Sequence, residues 1–298
     1  MTASPRSRIY LMLLLVMLLW AGNALVGRAV RGEIPPLTLA FLRWTGAALL
    51  LLPFSLRGMI AEWPAIRRHW PMLILLGVLG VGCFNALLYS GLRTSSATNA
   101  LLIQAAIPAL VLGSNFLFFR TRALPAQIIG VLLAAAGAIL IIFRTDIHAL
   151  ATLSLGRGDA LILLGVICWA IYTSLLRKRP PLSGTTFLTL SFLIGVIVTA
   201  PLAAGEWQDH PLRWTPAVIA SVAYVAIFPS IIAYFLYNHA VAQIGAAQAG
   251  QFISLQPLLG AFLAALLLGE ALHSYHFAGM ALILLGILAS SRANRPAQ

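Results

Sequence analysis

Trp20, Asn23 and Gly27 follow one another at spacings of three and four, which places them on one face of a helix. Trp169, Tyr172 and Leu176 repeat the spacing in the second half of the chain. Asn85 and Tyr89 share a helical face, as do Tyr234 and Asn238, and Ser230, Tyr234 and Tyr237 form a further stripe. Two prolines stand behind amide-rich runs. Asn99 and Gln104 precede Pro108, and Gln248, Gln251, Ser254 and Gln256 precede Pro257. These residue types bind rather than react. A proline inside a helix removes a backbone donor, so Pro108 frees the carbonyl of Gln104 and Pro257 that of Ile253. Freed carbonyls suit an ammonium group, amide donors suit a carboxylate, and indole and phenol rings stack against an apolar side chain. The plainer readings are kinks for the prolines and interhelical hydrogen bonds, worth about 0.6–2 kcal/mol, for single amides. Trp20 and Trp169 lie some eleven residues into their segments, near midplane, whereas Tyr224 and Tyr275 read as interfacial belt residues. No His/Asp/Glu/Cys constellation of an enzyme or metal site accompanies them, and no Gly-x-x-x-x-Gly-Lys loop is present. The reading is non-enzymatic, with no catalytic residue, metal or cofactor.

The elements that must position these side chains are membrane helices. Of 298 residues, 61% are hydrophobic and 9% charged, a composition that excludes a soluble domain. Ten stretches are long and apolar enough to span: roughly 9–28, 37–56, 71–92, 97–118, 125–143, 158–176, 185–204, 215–238, 247–268 and 275–291. The fold class is therefore an all-α integral membrane protein. The first stretch is too long for a signal peptide and lacks a small-x-small cleavage site. Cys83 and Cys168 fall inside spans and read as small buried fillers.

The net charge of +12 is distributed by side. With ten spans, the termini and alternate loops share one side carrying Arg6, Arg8, Arg57, Arg67, Arg68, Arg120, Arg122, Arg177, Lys178, Arg179, Arg292 and Arg295 against Glu62 alone. The other side mixes Arg28, Arg31, Arg93, Arg144, Arg157 and Arg213 with Glu33, Asp146, Asp159, Glu206, Asp209 and Glu270. The positive-inside rule puts both termini in the cytoplasm of a bacterial inner (plasma) membrane protein. The excess charge reports topology, not nucleic acid; the partners expected are membrane lipid and a small-molecule substrate.

Shifting the chain by 149 positions aligns Trp20 with Trp169, Arg28 with Arg177, Gly46 with Gly195, Pro108 with Pro257, Gly130 with Gly279 and Gly137 with Gly286. Residues 1–148 and 149–298 are thus two five-helix repeats. Five is odd, so the copies enter the membrane from opposite faces. Inverted repeats place a substrate site near midplane and expose it alternately by rocking. The small residues seven apart on the fifth and tenth helices read as packing or dimer faces, leaving a monomer or homodimer.

The run PLLGAFLAALLLGEALHSYHFAGMALILLGI resembles the signature of the drug/metabolite transporter superfamily in its ten-helix EamA branch. LLLGVICWAIYTSLLRK and LAFLRWTGAALLLL are similar to that family's sixth and second helices. One departure is Arg120-Thr121, where the family often repeats its Gly-Glu. The resemblance covers essentially the whole chain. It implies outward movement of small metabolites, with the aromatic amino acid exporters as the nearest comparison. All seven acids lie in loops or at helix ends, which argues against obligatory proton coupling through a midplane carboxylate. Arg43 is the one charge inside a span and reads as snorkelling or held by a structural partner, ahead of a substrate contact. His239 reads as a boundary residue. The expected substrates are small, neutral and amphipathic, amino acids above all. The alternatives are a sugar-phosphate or nucleotide-sugar exchanger, a proton-coupled drug exporter, and a lipid-moving protein.

Overall fold

The computed structural model describes residues 5–30, 32–95, 97–143, 156–209, 212–268 and 273–293. Arg31, Arg144, Asp146, Glu270 and Arg295, counted above for topology, lie outside the described residues, as does the junction of the halves at 148/149. All the regular elements of these segments are helical. Helix α1 is Pro5–Ala29 and α2 is Pro36–Ala61. Helix α3 runs over Trp63–Leu92, α4 over Ala97–Gln104 and Ile107–Phe119, and α5 over Pro125–Phe143. In the second half α6 is Arg157–Lys178, α7 Gly184–Asp209 and α8 Pro216–Ile244. Helix α9 is built from Ala246–Gln251, Phe252–Leu255 and Gln256–Leu268, and α10 is Ser274–Ala293.

Among the described residues nine helices are long and apolar enough to cross a bilayer. The tenth, α9, is split by the amides and Pro257 into short pieces. The loop expected over 57–70 is absorbed into helix: α2 continues to Ala61, and α3 begins at Trp63 and kinks at His69 ahead of Pro71. Proline at the second helical position costs nothing, because that N–H has no partner within the helix.

The two-fold relation read from the sequence recurs in the backbone. Helix α3 widens into a π-helical segment at Val78–Cys83 and α8 does so at Ile227–Ile232, one repeat later to the residue. Helix α4 breaks at 105–106 and α9 loosens into a 3-10 turn at Phe252–Leu255, again at corresponding positions. Helices α5 and α10 lie along one another. A Cβ on Gly286 would stand 2.4 Å from the Gly130 carbonyl oxygen, and one on Gly137 2.5 Å from that of Gly279. The equivalent glycines thus meet crosswise, as an inverted repeat requires. Only hydrogen side chains allow that backbone approach, which is how membrane helices gain packing energy without a hydrophobic drive between them. The small-residue faces are consumed inside the chain. Helices α2 and α7 pair on the other flank, leaving α1, α3, α6 and α8 around the middle.

Candidate functional site

The middle is an aromatic cluster. Trp20 of α1 meets Trp169 of α6 edge-on at 5.3 Å between ring centroids, and lies 5.9 Å from Tyr234 and 5.2 Å from Tyr237. Trp169 sits 5.2 Å from Tyr172, 5.7 Å from Tyr234 and 5.6 Å from Tyr237. Trp44 of α2 stacks on Phe192 of α7 at 5.3 Å and contacts Tyr234 at 5.6 Å. Trp20 is half-buried; the other rings are closed off from both faces. Such pairs are worth about 0.5–1.5 kcal/mol each beyond burial. In this conformation the rings fill one another's space.

The π-helical segments present carbonyls to this cluster, and side chains occupy them. Pro229 O accepts from Trp20 Nε1 at 3.0 Å and from an Arg43 terminal nitrogen at 3.1 Å. Arg43 Nε donates to Ser230 Oγ at 2.6 Å, and that hydroxyl donates to Val225 O at 2.6 Å. Val225 is the residue whose carbonyl Pro229 deprives of a helical N–H. On the equivalent segment of α3, Gly80 O accepts from Tyr234 OH at 2.8 Å. Arg43 is therefore buried, with its guanidinium 4.3 Å over the Trp44 ring. The snorkelling half of the sequence reading gives way to the structural partner.

The expected residues divide in two. Trp20, Trp169, Tyr172, Tyr234 and Tyr237 share the cluster, and Asn238 Oδ1 accepts from Tyr172 OH at 2.9 Å. Asn85 is buried against Tyr234, and its Nδ2 has no acceptor at hydrogen-bonding geometry. Asn23 and Tyr89 are half-buried, each a turn beyond a central residue on its helix. The remaining polar residues brace helices. Asn99 Nδ2 donates to Asp159 at 3.0 Å, Gln104 Nε2 to Ala100 O at 3.2 Å and Gln251 Nε2 to Gly286 O at 2.8 Å. Gln256 is half-buried, and Ser254 is buried with an unpartnered hydroxyl. Pro108 is buried and Pro257 half-buried. The carbonyl of Ile253 is not free: the 3-10 turn lets Gln256 N–H reach it, so Pro257 opens no carbonyl for a ligand.

Sequence reasoning passed over Trp44 and Phe192, because in α2 it singled out Arg43 alone and α7 read as an apolar span. It also passed over Pro229, whose signal was a proline thirteen residues inside α8.

The two faces differ. Opposite the N-terminus, Val30, Ile34, Leu39, Val218 and Val225 form a second apolar cluster, with Tyr224 packed on it. Tyr224 also stacks on Phe228 at 5.2 Å, and its hydroxyl lies 2.5 Å from where a Gly22 Cβ would be. Tyr224 is thus half-buried between this cluster and α1. Glu206 accepts from Thr38 N at 2.8 Å and Thr38 Oγ1 at 3.1 Å. Glu33 accepts from Thr215 Oγ1, the cap of α8, and Asp159 accepts from Ser95 Oγ at 2.5 Å.

On the basic face, a cavity of about 480 Å³ opens between α6, α7 and α8. Arg179, Pro181, Leu188, Phe235, Asn238 and His239 line it. Arg179 is fixed by a bond from its guanidinium to Leu182 O at 2.9 Å and lies 5.1 Å over Phe187. Burial lowers the Arg179 pKa from its ordinary value, with Tyr172 and Glu62 opposing the shift. The group remains a cation at neutral pH. Asn238 of the cavity lining is hydrogen-bonded to Tyr172 of the closed aromatic cluster, so the two are neighbours.

A sequence profile described as the EamA-like transporter family matches residues 7–143 and again residues 156–292. The second match begins and ends 149 residues after the first, the offset at which the sequence aligns with itself. The uncharacterized transporter YyaM of Bacillus subtilis (strain 168) is 27% identical over 289 residues, covering 95% of this chain and 93% of its own. An uncharacterized transporter of Archaeoglobus fulgidus is 28% identical over 268 residues, covering 89% and 90%. A solved crystal structure superposes with a TM-score of 0.77 over 97% of this chain and 99% of its own, at 20% identity, a likeness of fold alone.

Proposed function

The chain belongs to the EamA-like transporter family, and on that premise we propose that it exports small, net-neutral amphipathic metabolites, most of all amino acids, aromatic ones included. The observation that carries this reading is the run from the basic-face cavity, through Asn238 and Tyr172, to the cluster around Trp169 and Trp20. A volume near 480 Å³ falls in the range of about 300–1,000 Å³ typical of small-ligand sites. Amides on that run suit a polar head group, and the rings suit an apolar or aromatic tail. A wall of this kind discriminates by only about 1–3 kcal/mol per methylene, so selection among tails is broad.

The basic face is taken as cytoplasmic, in a bacterial inner membrane, from the positive-inside rule. The described conformation is then sealed outside by the Val30/Val218 cluster and open inside at the cavity. Residues 1–148 and 149–298 act as the two rocking halves, with the bends at Pro108 and Pro257 letting α4 and α9 flex. The protein works as a monomer or homodimer. The buried carboxylates Asp159 and Glu206 sit near the ends of α6 and α7 and accept hydrogen bonds there. With no described carboxylate in the cluster, transport proceeds down the substrate gradient or by exchange.

Purified protein in liposomes, given radiolabelled phenylalanine, threonine, glucose 6-phosphate and a quaternary amine, tests the reading. The amino acids should move, and collapsing an imposed pH gradient should leave their rate within about twofold, since no proton step is coupled. Movement of the phosphate or the amine alone refutes the substrate class, and loss of transport with the gradient refutes the uncoupled mechanism.

A further inference from the structure

The cluster is rich in donors, and the backbone carbonyls turned toward it are taken. Among the described residues the buried polar side-chain atoms without partners are Trp44 Nε1, Asn85 Nδ2, Asn238 Nδ2 and the hydroxyls of Thr45 and Ser254. The three nitrogens can only donate. The nearby carbonyls are in use: Pro229 O receives two donors, and Val225 O and Gly80 O receive side-chain hydroxyls.

Within this setting stands Arg43, 3% exposed. Its described hydrogen bonds run to Ser230 Oγ and Pro229 O, both neutral. A guanidinium offers five N–H groups in a planar fork, and these bonds use two. A buried cation without an anion costs several kcal/mol even after relaxation, so membrane proteins keep such charges where they do something. The buried carboxylates of the described residues are engaged elsewhere, Glu206 with Thr38 and Asp159 with Ser95 and Asn99. Tyr234 lies beside these donors: its ring is 5.6 Å from that of Trp44, and its own hydroxyl is spent on Gly80 O.

We infer that Arg43, with Trp44 Nε1 and Asn85 Nδ2, forms the subsite that receives the carboxylate of the transported molecule. This deepens the exporter reading and rests on it. The substrate is a carboxylate or zwitterion with an apolar tail, and an amine lacking the carboxylate is not one. Ser230 and the Pro229 carbonyl are positioning groups that hold the guanidinium plane, while Phe192 and Trp169 face the tail. One guanidinium balances one carboxylate. A phosphate dianion needs a second cation, and Arg179 lines the separate basic-face cavity and is tied to Leu182 O. The fork geometry of Arg also matches a carboxylate in bidentate fashion.

The test has two readouts on the full chain. In detergent, thermal unfolding is followed with 3-phenylpropionate, phenethylamine, phenylalaninamide or glucose 6-phosphate. In liposomes, the same compounds compete with phenylalanine uptake. The carboxylate should raise the unfolding temperature and compete; the amine and the amide should do neither. Arg43→Gln should weaken competition by 3-phenylpropionate about thirtyfold or more, the effect of truncating one partner of a buried charged pair. Arg43→Lys should keep the preference for the carboxylate at lower affinity, and the wild-type ligand series decides the matter if Arg43→Gln does not fold. Phenylalanine uptake inhibited equally by phenethylamine and 3-phenylpropionate overturns the subsite and leaves the exporter reading intact. Stabilisation by 3-phenylpropionate alone, without amino acid transport, keeps the subsite and overturns the exporter reading. Stabilisation by glucose 6-phosphate, or by none of the compounds, overturns the carboxylate assignment.

Discussion

Gly91 of α3 and Gly158 of α6 meet backbone to backbone on the face opposite the N-terminus, the face on which the proposed route is closed. A Cβ on Gly158 would stand 2.5 Å from the Gly91 carbonyl oxygen, 2.6 Å from Thr94 Oγ1 and 2.9 Å from Ser95 N. Ordinary carbon contacts begin near 3.4 Å, so Gly158→Ala must part the helices by most of an ångström. Two of those three atoms are backbone and cannot rotate aside. Overpacking of this kind costs about 1–3 kcal/mol. The better helix propensity of alanine does not offset the cost, because α6 is helical whether the route is open or shut. The closed state on this face should therefore lose about 5–150-fold in population relative to the open one. Cys168, ten residues further along α6 and buried beside Cys83, reports on the change. In a Cys83→Ala background, a membrane-impermeant thiol reagent added on this face should modify Cys168 faster in Gly158→Ala than in the parent. Added on the basic face it should react more slowly, since rocking opens one side as it closes the other. Equal rates from both sides, in protein that remains folded, would refute the idea that the Gly91–Gly158 contact helps hold this face closed.

Two further expectations follow from the packing. Trp20→Phe loses one hydrogen bond to Pro229 O, about 0.5–1.5 kcal/mol, and keeps a ring in the cluster. Trp20→Ala also removes three ring contacts of about 0.5–1.5 kcal/mol each. Phenylalanine transport should fall about tenfold or more in Trp20→Ala and by clearly less in Trp20→Phe; an unchanged rate in Trp20→Ala ends the role of the ring as a wall. Gly286→Ala and Gly137→Ala place a methyl 2.4 and 2.5 Å from partner carbonyls across the same two-fold, and each should destabilise the protein by about 1–3 kcal/mol in detergent unfolding. A large effect at one site and none at the other would contradict the crosswise pairing of α5 with α10.

Much of this frame is legible in the sequence because it is carried by local periods. Helical spacing groups Trp20 with Asn23 and Tyr234 with Tyr237, and the 149-residue offset pairs Gly130 with Gly279 before any contact is known. The offset also relates Gly80 to Pro229, which is where both π-helical segments fall, although neither residue announces a widened turn by itself. The fates of single amides are not legible. Asn99, Gln104 and Gln251 resemble Asn85 in type, yet they are spent on Asp159, on their own helix and on Gly286 O. Their partners are chosen by the register between helices, which no spacing within one helix encodes. Pro257 shows the same limit. The missing donor is certain from the residue type, but a 3-10 turn repairs the loss and removes the chemistry expected of it. Arg43 is the converse case: its depth is plain in the sequence, and only the fold shows that it turns inward to Pro229 and Ser230.

A two-fold frame that binds a molecule with unlike ends must break its symmetry at the site while keeping it in the hinges. The frame here keeps it, with glycines at 130, 137, 279 and 286, breaks in α4 and α9, and wide turns in α3 and α8, all at one offset. The centre does not. The position of Arg43 is taken by Phe192 in the other half, that of Asn85 by Tyr234, and that of Tyr89 by Asn238. The gates diverge as well: the contact of Gly91 with Gly158 corresponds to Ala240 and Ile9, which carry side chains where the first pair carries none. Equal halves would rock with no preferred side and would hold a ligand in two opposed poses. Placing the cation on α2 and a phenyl ring at the matching point of α7 fixes one pose. Making one gate of glycine and the other of alanine and isoleucine weights one side toward closure. Exchanging Arg43 and Phe192 should then abolish carboxylate selection, because the positions matching Ser230 and Pro229 are Val81 and Gly80, which offer the moved guanidinium no hydroxyl and a carbonyl already bonded to Tyr234; a folded double variant that keeps the selection would refute the argument from asymmetry.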